Sequence, residues 1–365
     1  MGRTSREVII VGGGQAGLAT AHQLRARGVD HLVLESLPRI GDQWRRRWDS
    51  LRLFTPARLD ALPGSRFPAS GMTFPTKDEM ADYLESYAAE SALNVRTSTK
   101  VRALRRVGRE YAVITDGGLL LASHVVIATG YDSPKIPEPA SRVSSGTKQL
   151  HAAEYRNPGQ LTGDVLIVGA GTSGVEIAVE AAQAGHRTML AGRSTGEIPP
   201  IAQAFGGRIF WLYANRVASV ASPVGRRMRR AFIHHGAPLI RLKMADAVRA
   251  GVTRLPRVIG VTDGRPAFED GTTGRPDTIV WCTGFRRDYS WIEFPIPTDD
   301  GLPRQRDGAV AGEPGMYFVG LPFQTRFASA LVGGVGHDAS LVAAQIATSL
   351  ATEPALTPAA IPASS

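Results

Sequence analysis

The chain has 365 residues, of which 43% are hydrophobic, and its 42 basic and 33 acidic residues give a formal net charge of +9. This length allows two or three domains, each with a buried core of its own. The single cysteine, Cys282, excludes an internal disulfide framework, a CxxC redox pair and a cysteine-rich metal site.

The positive charge has three explanations. It can mark a surface for nucleic acid or membrane, it can reflect an arginine-rich composition scattered over the surface, or it can serve anionic cofactors. No helix-turn-helix, zinc-finger or RNP pattern accompanies the charge. We therefore expect scattered arginines and no nucleic-acid partner.

No segment has the pattern of a targeting signal or a membrane span. The first apolar run ends at three glycines, whereas a signal peptide needs a longer run and a cleavage site. No stretch reaches 18 uninterrupted apolar residues, so we expect no transmembrane helix and a cytoplasmic location. Residues 351–365, rich in Ala, Pro and Ser, are expected to form a loose tail.

The first elements along the chain form a strand, a glycine-rich turn, a helix and a second strand. Val8–Val11 is a short β-branched run typical of a buried parallel strand, and the turn Gly12–Gly17 follows at once. A helix is predicted over Leu18–Arg27, and the strand His31–Leu34 ends at Glu35. In such a GxGxxG turn the glycines permit the tight turn, the approach of a pyrophosphate and close helix–strand packing. A carboxylate in the place of Glu35 accepts hydrogen bonds from ribose hydroxyls, as FAD or NAD requires.

The same order of elements returns in the middle of the chain. Val165–Val168 leads into Gly169–Gly174, a helix is predicted over Val175–Ala184, and the next strand runs over Arg187–Ala191. One isolated GxGxxG is weak evidence in a glycine-rich chain. Two copies, each with flanking strands and a helix, predict two dinucleotide-binding units.

The charged residue that follows the second strand distinguishes the two units. The first unit has Glu35 there, whereas the second has Gly192 and then Arg193, followed by Ser194. A guanidinium binds a 2′-phosphate in a bidentate manner, whereas a carboxylate repels it. The second site is therefore predicted to bind NADP(H), with Ser194 as a further donor, although Arg193 can also be a solvated surface residue.

Two further predicted strands share one sequence pattern. Val125–Gly130 and Ile279–Gly284 are both apolar runs that end in Thr-Gly. Met316–Gly320 is another strand, followed by the glycine-rich Gly333–Gly336 and a predicted helix over His337–Ser349.

These motifs resemble the class B flavin-dependent monooxygenases, which include the flavin-containing monooxygenases, the plant YUCCA enzymes and short bacterial relatives. The similarity runs from Val8 to about Ile346. It rests on Gly12–Gly17 with Glu35, Gly41–Trp44, Leu51–Pro56, Ala128–Tyr131, and Gly169–Gly174 with Glu176 and Arg193.

The resemblance implies an α/β fold with two Rossmann-like domains, one for FAD and one for NADPH. The FAD domain is expected to be discontinuous, over residues 1–142 and 287–350. The NADPH domain is expected over residues 143–286, with a helical insert at about 198–252. We expect the insert to be a packed helical element, with a lid over the substrate channel or a membrane anchor as alternatives.

The resemblance also implies the residues that bind the cofactors. They are Gly12, Gly14, Gln15, Ala16, Gly17, Glu35, Ser36, Gln43, Trp44, Thr55, Val101, Ala128, Thr129, Gly130, Gly169, Gly171, Thr172, Ser173, Gly174, Arg193, Ser194, Thr283, Gly284, Gly320 and Leu331.

The chemistry that the resemblance implies is an NADPH- and O2-dependent oxygenation. NADPH reduces FAD, O2 gives a C4a-(hydro)peroxyflavin, and one oxygen passes to a small organic substrate at a soft N or S centre. The alternatives are Baeyer–Villiger oxygenation of a ketone and a flavoprotein reductase that passes electrons to a partner. A homodimer is possible.

Three residues are candidates for a catalytic role. Phe54 occupies the position at which the heteroatom oxygenases have an Asn, and Thr55 follows it. His151, which keeps the second half of a family fingerprint with Tyr155, either moves a proton or positions the linker beside the NADP site. Arg45–Arg47 form either a solvated turn or a group near the cofactor phosphates. No metal site is expected, because His234 and His235 have no partner at ligand spacing.

Overall fold

A computed structural model describes residues 4–131, 133–199, 207–235, 237–299 and 301–352, without the side chains of residues 4, 5, 208 and 232–235. The predicted tail from residue 353 onward lies outside these residues. The strands are β1 (Thr4–Val11), β2 (His31–Leu34), β3 (Val95–Arg96), β4 (Val101–Val107), β5 (Glu110–Thr115), β6 (Gly118–Ile127), β7 (Ser133–Pro134), β8 (Lys148–His151), β9 (Val165–Val168), β10 (Thr188–Ala191), β11 (Thr253–Leu255), β12 (Val258–Thr262), β13 (Arg265–Phe268), β14 (Thr278–Trp281), β15 (Phe285–Arg286), β16 (Thr298–Asp299), β17 (Leu302–Pro303), β18 (Gln305–Arg306), β19 (Ala309–Val310) and β20 (Met316–Phe318).

The helices are α1 (Gln15–Arg25), α2 (Asp42–Arg45), α3 (Lys77–Glu90), α4 (Thr172–Gln183), α5 (Arg208–Leu212), α6 (Pro223–His235), α7 (Met244–Arg249) and α8 (Val335–Thr352). A π-helical segment, Tyr213–Val217, continues α5. Short 3-10 turns lie at Ala57–Leu59, Glu138–Arg142, Pro158–Gln160 and Phe327–Ala330.

The first sheet carries the first dinucleotide-binding unit. Its strand order is β18-β19-β20-β6-β1-β2-β3, and β4 and β5 continue antiparallel from β6. Strand β1 is parallel to both β2 and β6, and β20 is parallel to β6. Helices α1 and α8 pack on one face against Val8 and Ile10 of β1, whereas Ile9 and Val11 are buried in a second cluster. The strand from the end of the chain thus completes the sheet that the beginning of the chain starts.

The second sheet is parallel throughout, in the order β11-β10-β9-β14-β8. Its central strands are buried and follow the predicted apolar runs. The chain enters this unit after β6 and leaves it after β14, and the two passing segments pair as β7 and β15. The predicted α/β fold with two Rossmann-like units is confirmed.

Both nucleotide-type helices begin earlier than the sequence predicts. Helix α1 starts at Gln15 and α4 at Thr172, each directly after the second glycine of its turn, and each three residues before the predicted start. The last three residues of each turn therefore already belong to the helix. Their backbone N–H groups lie in the first turn, where an α-helix has no intrahelical acceptors for them.

The helical insert packs against the end of the first unit. Phe210 contacts Phe327 edge-on, with ring centroids 5.7 Å apart, and Ala214 is fully buried in the same cluster. Arg241 lies between α6 and α7, and its Nη2 lies 2.9 Å from Oε1 of Glu176 on α4. The described residues of this segment thus pack against the first unit, and a nearly buried ion pair joins them to the second unit.

Breaking that ion pair should cost more stability than breaking a surface pair. Glu176 is almost fully buried, and burial raises the pKa of its carboxyl although Arg241 opposes the shift. Arg241→Met leaves this carboxyl without its partner, which we expect to cost about 3–5 kcal/mol of unfolding free energy in urea. Arg249→Met, which breaks an exposed pair with Asp246, should cost less than about 1 kcal/mol. Equal losses for the two variants would contradict the buried ion pair.

Candidate cofactor-binding site

A cavity of about 660 Å³ opens at the carboxyl ends of β1, β2 and β6, where the first glycine turn meets two later segments of the chain. The predicted cofactor residues that line it are Gly12, Gly14, Gln15, Ala16, Glu35, Ser36, Gln43, Trp44, Val101, Ala128, Thr129, Gly130 and Gly320. Crevices at the carboxyl ends of parallel strands are where open α/β sheets bind ligands.

Three glycines of the first turn meet different steric demands. Gly12 has φ +110°, and a Cβ there would lie 2.5 Å from the carbonyl oxygen of Ala128. A Cβ on Gly17 would collide with the carbonyl oxygen of Gly12. Gly14, in contrast, opens into the cavity, and the nearest atom to its Cβ would be Nε2 of Gln43 at 3.4 Å. Gly12 and Gly17 shape the turn, whereas Gly14 leaves space for a ligand.

The carboxylate of Glu35 organises the polar end of the cavity. Its Oε2 accepts a hydrogen bond from the Gly13 N–H, and its Oε1 accepts one from the Leu37 N–H, both at 2.8 Å. The residue is buried at the end of β2. The acid thus stands beside the glycine turn, as the sequence pattern predicts.

Several buried polar atoms in this cavity have no hydrogen-bond partner among the described residues. They are the two amide atoms of Gln43, the indole Nε1 of Trp44 and the hydroxyl of Thr129. Burying such a group without a partner costs about 1–3 kcal/mol. Four orphaned atoms in one cavity therefore indicate a polar ligand that supplies the missing bonds.

Part of the cavity wall comes from residues that the sequence patterns did not select. These are Val11, Leu34, Leu37, Thr99, Lys100, Tyr131, Asp288, Trp291 and Val319. Arg47 also lines the cavity; it belongs to the segment Arg45–Arg47, which the sequence placed either in a solvated turn or near the cofactor phosphates. Arg47 stacks over Phe285 at 5.0 Å, and burial, with repulsion from Arg156, lowers the pKa of its guanidinium. Arg47 and Lys100 add positive charge to a cavity that has Glu35 at its polar end.

Thr55, Phe54 and Leu331 do not line this cavity. The hydroxyl of Thr55 donates a hydrogen bond of 2.5 Å to Oδ1 of Asp60, and both residues are buried. Leu331 packs with Phe327 in the cluster that holds the insert. The structure brings Thr55 to a buried acid that sequence reasoning missed.

The second glycine turn repeats the first. Gly169 has φ +112° and faces the carbonyl oxygen of Cys282, as Gly12 faces that of Ala128. A Cβ on Gly174 would collide with the carbonyl oxygen of Gly169. A Cβ on Gly171 would have only Thr195 near it, at 3.9 Å. The predicted residues Thr172 and Ser173 form the first turn of α4 and are half-buried.

Arg193 and Ser194 follow β10 and lie on the surface. The guanidinium of Arg193 is 67% exposed and lies 3.3 Å from the carboxylate of Glu269. The Ser194 hydroxyl accepts a hydrogen bond from the Gly196 N–H. The predicted anion-binding arginine is thus accessible, and an acid on a neighbouring turn is its partner.

His151, at the end of β8, contacts the passage that leads back to the first unit. Its Nδ1 accepts a hydrogen bond from the Ala153 N–H, which leaves Nε2 as the donor to the carbonyl oxygen of Gly284 at 3.0 Å. Burial lowers the pKa of its imidazole. The hydroxyl of Thr283 donates to the carbonyl of Lys135 in the neighbouring passage. These contacts favour a positioning role for His151 over proton transfer.

Burial raises the pKa of the Cys282 thiol to about 12, which makes it unreactive as a thiolate at neutral pH. Within the described ranges, no group of three or more His, Cys, Asp or Glu side chains could hold a metal ion. The side chains of His234 and His235 lie outside the described residues. The helices in the described part of the chain include none that is long and apolar enough to cross a membrane.

The family model of the pyridine nucleotide-disulphide oxidoreductases matches residues 9–202, which include both glycine turns. The chain belongs to the pyridine nucleotide-disulphide oxidoreductase family. It is 35% identical to an uncharacterized CzcO-like oxidoreductase of Geobacillus kaustophilus, with 93% of this chain and 98% of that protein aligned. It is also 29% identical to the indole-3-pyruvate monooxygenase YUCCA1 of Oryza sativa, over 93% and 90% of the two chains.

A solved structure supports the same assignment. The flavin-containing monooxygenase of Stenotrophomonas maltophilia superposes with a TM-score of 0.78 at 26% identity, over 95% of this chain and 99% of that one. The resemblance to class B flavin-dependent monooxygenases is therefore confirmed. With one cysteine in 365 residues, this family member cannot form the intramolecular dithiol of a disulphide reductase.

Equivalent glycines in the two turns allow a matched test of the cofactor sites. Gly14→Val should fold like the wild type but lose bound flavin. Its affinity for flavin should fall by about tenfold or more, because the side chain fills the cavity. Gly171→Val should retain flavin and lose reduction by the nicotinamide cofactor. Flavin content by absorbance and anaerobic reduction rates measure both. Flavin loss in Gly171→Val but not in Gly14→Val would contradict the assignment.

The buried acid makes stability depend on pH. Burial raises the pKa of Asp60 from 3.8 to about 7. The protonated acid therefore contributes stability that is fully present below about pH 4 and is lost as the pH rises to about 7. Between pH 5 and pH 8 the wild type should lose about 2–3 kcal/mol of unfolding free energy more than Asp60→Asn does. Parallel pH profiles for the two proteins would show that Asp60 is ionised when folded.

Proposed function

We propose that this chain is an FAD-dependent monooxygenase that uses NADPH and O2 to oxygenate a small organic substrate at a soft nitrogen or sulfur centre. The observation that carries the proposal is the cavity beside the first glycine turn. It combines an open approach at Gly14, the buried carboxylate of Glu35 and the orphaned polar atoms of Gln43, Trp44 and Thr129.

The residues of this cavity fit FAD. The N–H groups at the start of α1 would bind the pyrophosphate, whose negative charge the helix dipole would stabilise. Glu35 would accept hydrogen bonds from the ribose, while Arg47 and Lys100 add positive charge for an anionic ligand. Gln43, Trp44 and Thr129 would supply the polar contacts to the rest of the cofactor.

The second turn fits NADPH. The N–H groups at the start of α4 provide the same kind of pyrophosphate site. Arg193 would bind the 2′-phosphate in exchange for its present partner Glu269, because a dianionic phosphate offers a guanidinium more charge than one carboxylate does. Ser194 would donate a further hydrogen bond.

FAD supplies the hydride acceptor and the activation of O2. This chain's own residues orient the two cofactors and exclude water. The pairing of β7 with β15 and the contact of His151 with Gly284 hold the passages between the two units. Close packing of Gly320 against Ala16, where a Cβ would lie 2.9 Å away, keeps that edge of the cavity narrow.

One sequence observation favours a second candidate function. Phe54 stands where heteroatom oxygenases have an Asn, so a hydrogen-bond donor of the family pattern is absent at this position. Without that donor, reduced flavin would return its electrons to O2 as peroxide or pass them to an electron acceptor. An NADPH oxidase or reductase is therefore the alternative to oxygenation.

Arg193 tests the choice of nicotinamide cofactor. Arg193→Ala should raise the KM for NADPH by about tenfold or more and leave that for NADH nearly unchanged, since only NADPH has the 2′-phosphate. Glu269→Gln is the matched variant, because it removes the competing carboxylate and should lower the KM for NADPH. Equal effects of Arg193→Ala on both cofactors would rule out a 2′-phosphate contact.

Coupling of NADPH oxidation to oxygenation tests the reaction. Amines and thioethers should be oxygenated with one product formed per NADPH consumed, and with little H2O2 released. Phe54→Asn should lower the share of NADPH that ends as H2O2 if the missing donor limits oxygenation. Complete conversion of NADPH to H2O2 with every substrate class, in both proteins, would leave the oxidase as the function.

A further inference from the structure

The net charge of the chain is concentrated in one segment. Residues 198–245 contain seven Arg, one Lys and no Asp or Glu, which leaves 34 basic and 33 acidic residues in the rest of the chain. The arginines themselves are spread along the chain, but this segment has no acidic residues to balance its basic ones. Eight of the nine net positive charges therefore belong to the helical insert.

The same segment exposes apolar side chains on one side. Ile209, Leu212, Tyr213 and Val217 are 44%, 58%, 38% and 43% exposed. Their spacing of three or four residues puts them on one side of the continuous helix formed by α5 and the π-helical segment. The opposite side, with the buried Phe210, Ala214 and Ala218, packs against the first unit.

Helix α6 extends this surface. Val224 in its first turn is 50% exposed, and Arg226, Arg227 and Arg230 are exposed along it. Arg229 is less exposed than these three, and its Nη1 lies 3.6 Å from Oδ2 of Asp299. We call the surface formed by Ile209, Leu212, Tyr213, Arg216, Val217, Val224, Arg226, Arg227 and Arg230 the basic apolar face.

A loop of the first unit adjoins this face. Arg58 and Leu59 line a second cavity together with Trp211 and Leu212 of the insert. The backbone N–H of Arg58 donates to the carbonyl of Gly71, next to Met72, which is 59% exposed. The loop that holds the exposed Met72 therefore lies close to the insert.

We propose that the basic apolar face docks the protein on the surface of an anionic lipid membrane. Helices with exposed apolar side chains on one face and arginines beside them lie in the headgroup region of a bilayer without crossing it. Each Arg near an anionic surface is attracted by about 1 kcal/mol, and the apolar side chains add burial in the lipid. This docking is independent of the proposed function, because the face contains none of the cofactor residues.

Charge and composition favour a membrane over the other occupants. A symmetric dimer through this face would bring two copies of the same acid-free, arginine-rich surface together, and such like-charge contacts are unfavourable. Nucleic acid would use the arginines but would leave four aliphatic side chains, Ile209, Leu212, Val217 and Val224, in water. An anionic bilayer satisfies both kinds of side chain at once.

Co-sedimentation of the flavin-loaded protein with vesicles tests the proposal. We expect binding to phosphatidylcholine vesicles that contain 30% phosphatidylglycerol, much weaker binding to phosphatidylcholine alone, and loss of binding in high salt. Arg227→Glu/Arg230→Glu should weaken binding about 20-fold or more. Ile209→Ser/Val224→Ser should weaken it about tenfold.

Matched controls use equally exposed residues elsewhere. Leu119→Ser/Ile259→Ser replaces two apolar side chains that are 50% and 54% exposed, and Arg109→Glu/Arg275→Glu makes the same change of charge. Both controls should bind vesicles like the wild type. All variants should give the wild-type circular dichroism spectrum and unfold in urea at the wild-type midpoint, which shows that they are folded.

Three results would overturn the proposal. The first is no binding to anionic vesicles in low salt, and the second is equal weakening by the face variants and their controls. The third is binding of another partner without any vesicle binding. That partner would be a second copy, seen as a dimer in analytical ultracentrifugation that the face variants dissociate, or a nucleic acid, seen as a gel shift of DNA or RNA that Arg227→Glu/Arg230→Glu abolishes.

Discussion

The structure depends on one steric constraint that occurs twice. In each unit the first glycine of the turn lies against a carbonyl oxygen of a neighbouring segment, and the last glycine lies against the carbonyl oxygen of the first. No side chain fits at either contact, so strand, turn and helix can meet only with glycine there. The helix that starts in this turn then presents its free N–H groups at the carboxyl end of the sheet. Both proposed phosphate sites follow from this contact.

The two glycine turns differ in the residues that surround them. The first is closed by Ala128 and faces the buried carboxylate of Glu35. The second is closed by Cys282 and leads to the exposed Arg193. The same backbone geometry can therefore serve two different dinucleotides, because the charged residue that follows the second strand is an acid in one unit and an arginine in the other. The family is named for disulphide chemistry, but the one thiol of this chain is buried in the wall of a turn.

Local patterns predicted the parts of the site that are contiguous in sequence. The strand–turn–helix units and Glu35 were predictable because their geometry is fixed within some 25 residues. Lys100, Asp288 and Trp291 were missed because tertiary folding alone brings them to the cavity. The link between Thr55 and Asp60 was missed for a similar reason, since no pattern indicates which acid is buried. The excess of basic residues in the insert was visible in the sequence. The exposed apolar side chains beside them, which indicate a docking surface, were visible only in the structure.

The most direct test of the central claim is an anaerobic titration of the flavin-loaded protein with NADPH, followed by the visible absorbance of the flavin. We expect complete bleaching at one NADPH per FAD, faster than with NADH, and recovery of the oxidised spectrum on admission of O2. A protein that retains no flavin, or a bound flavin that NADPH does not reduce, would contradict the account.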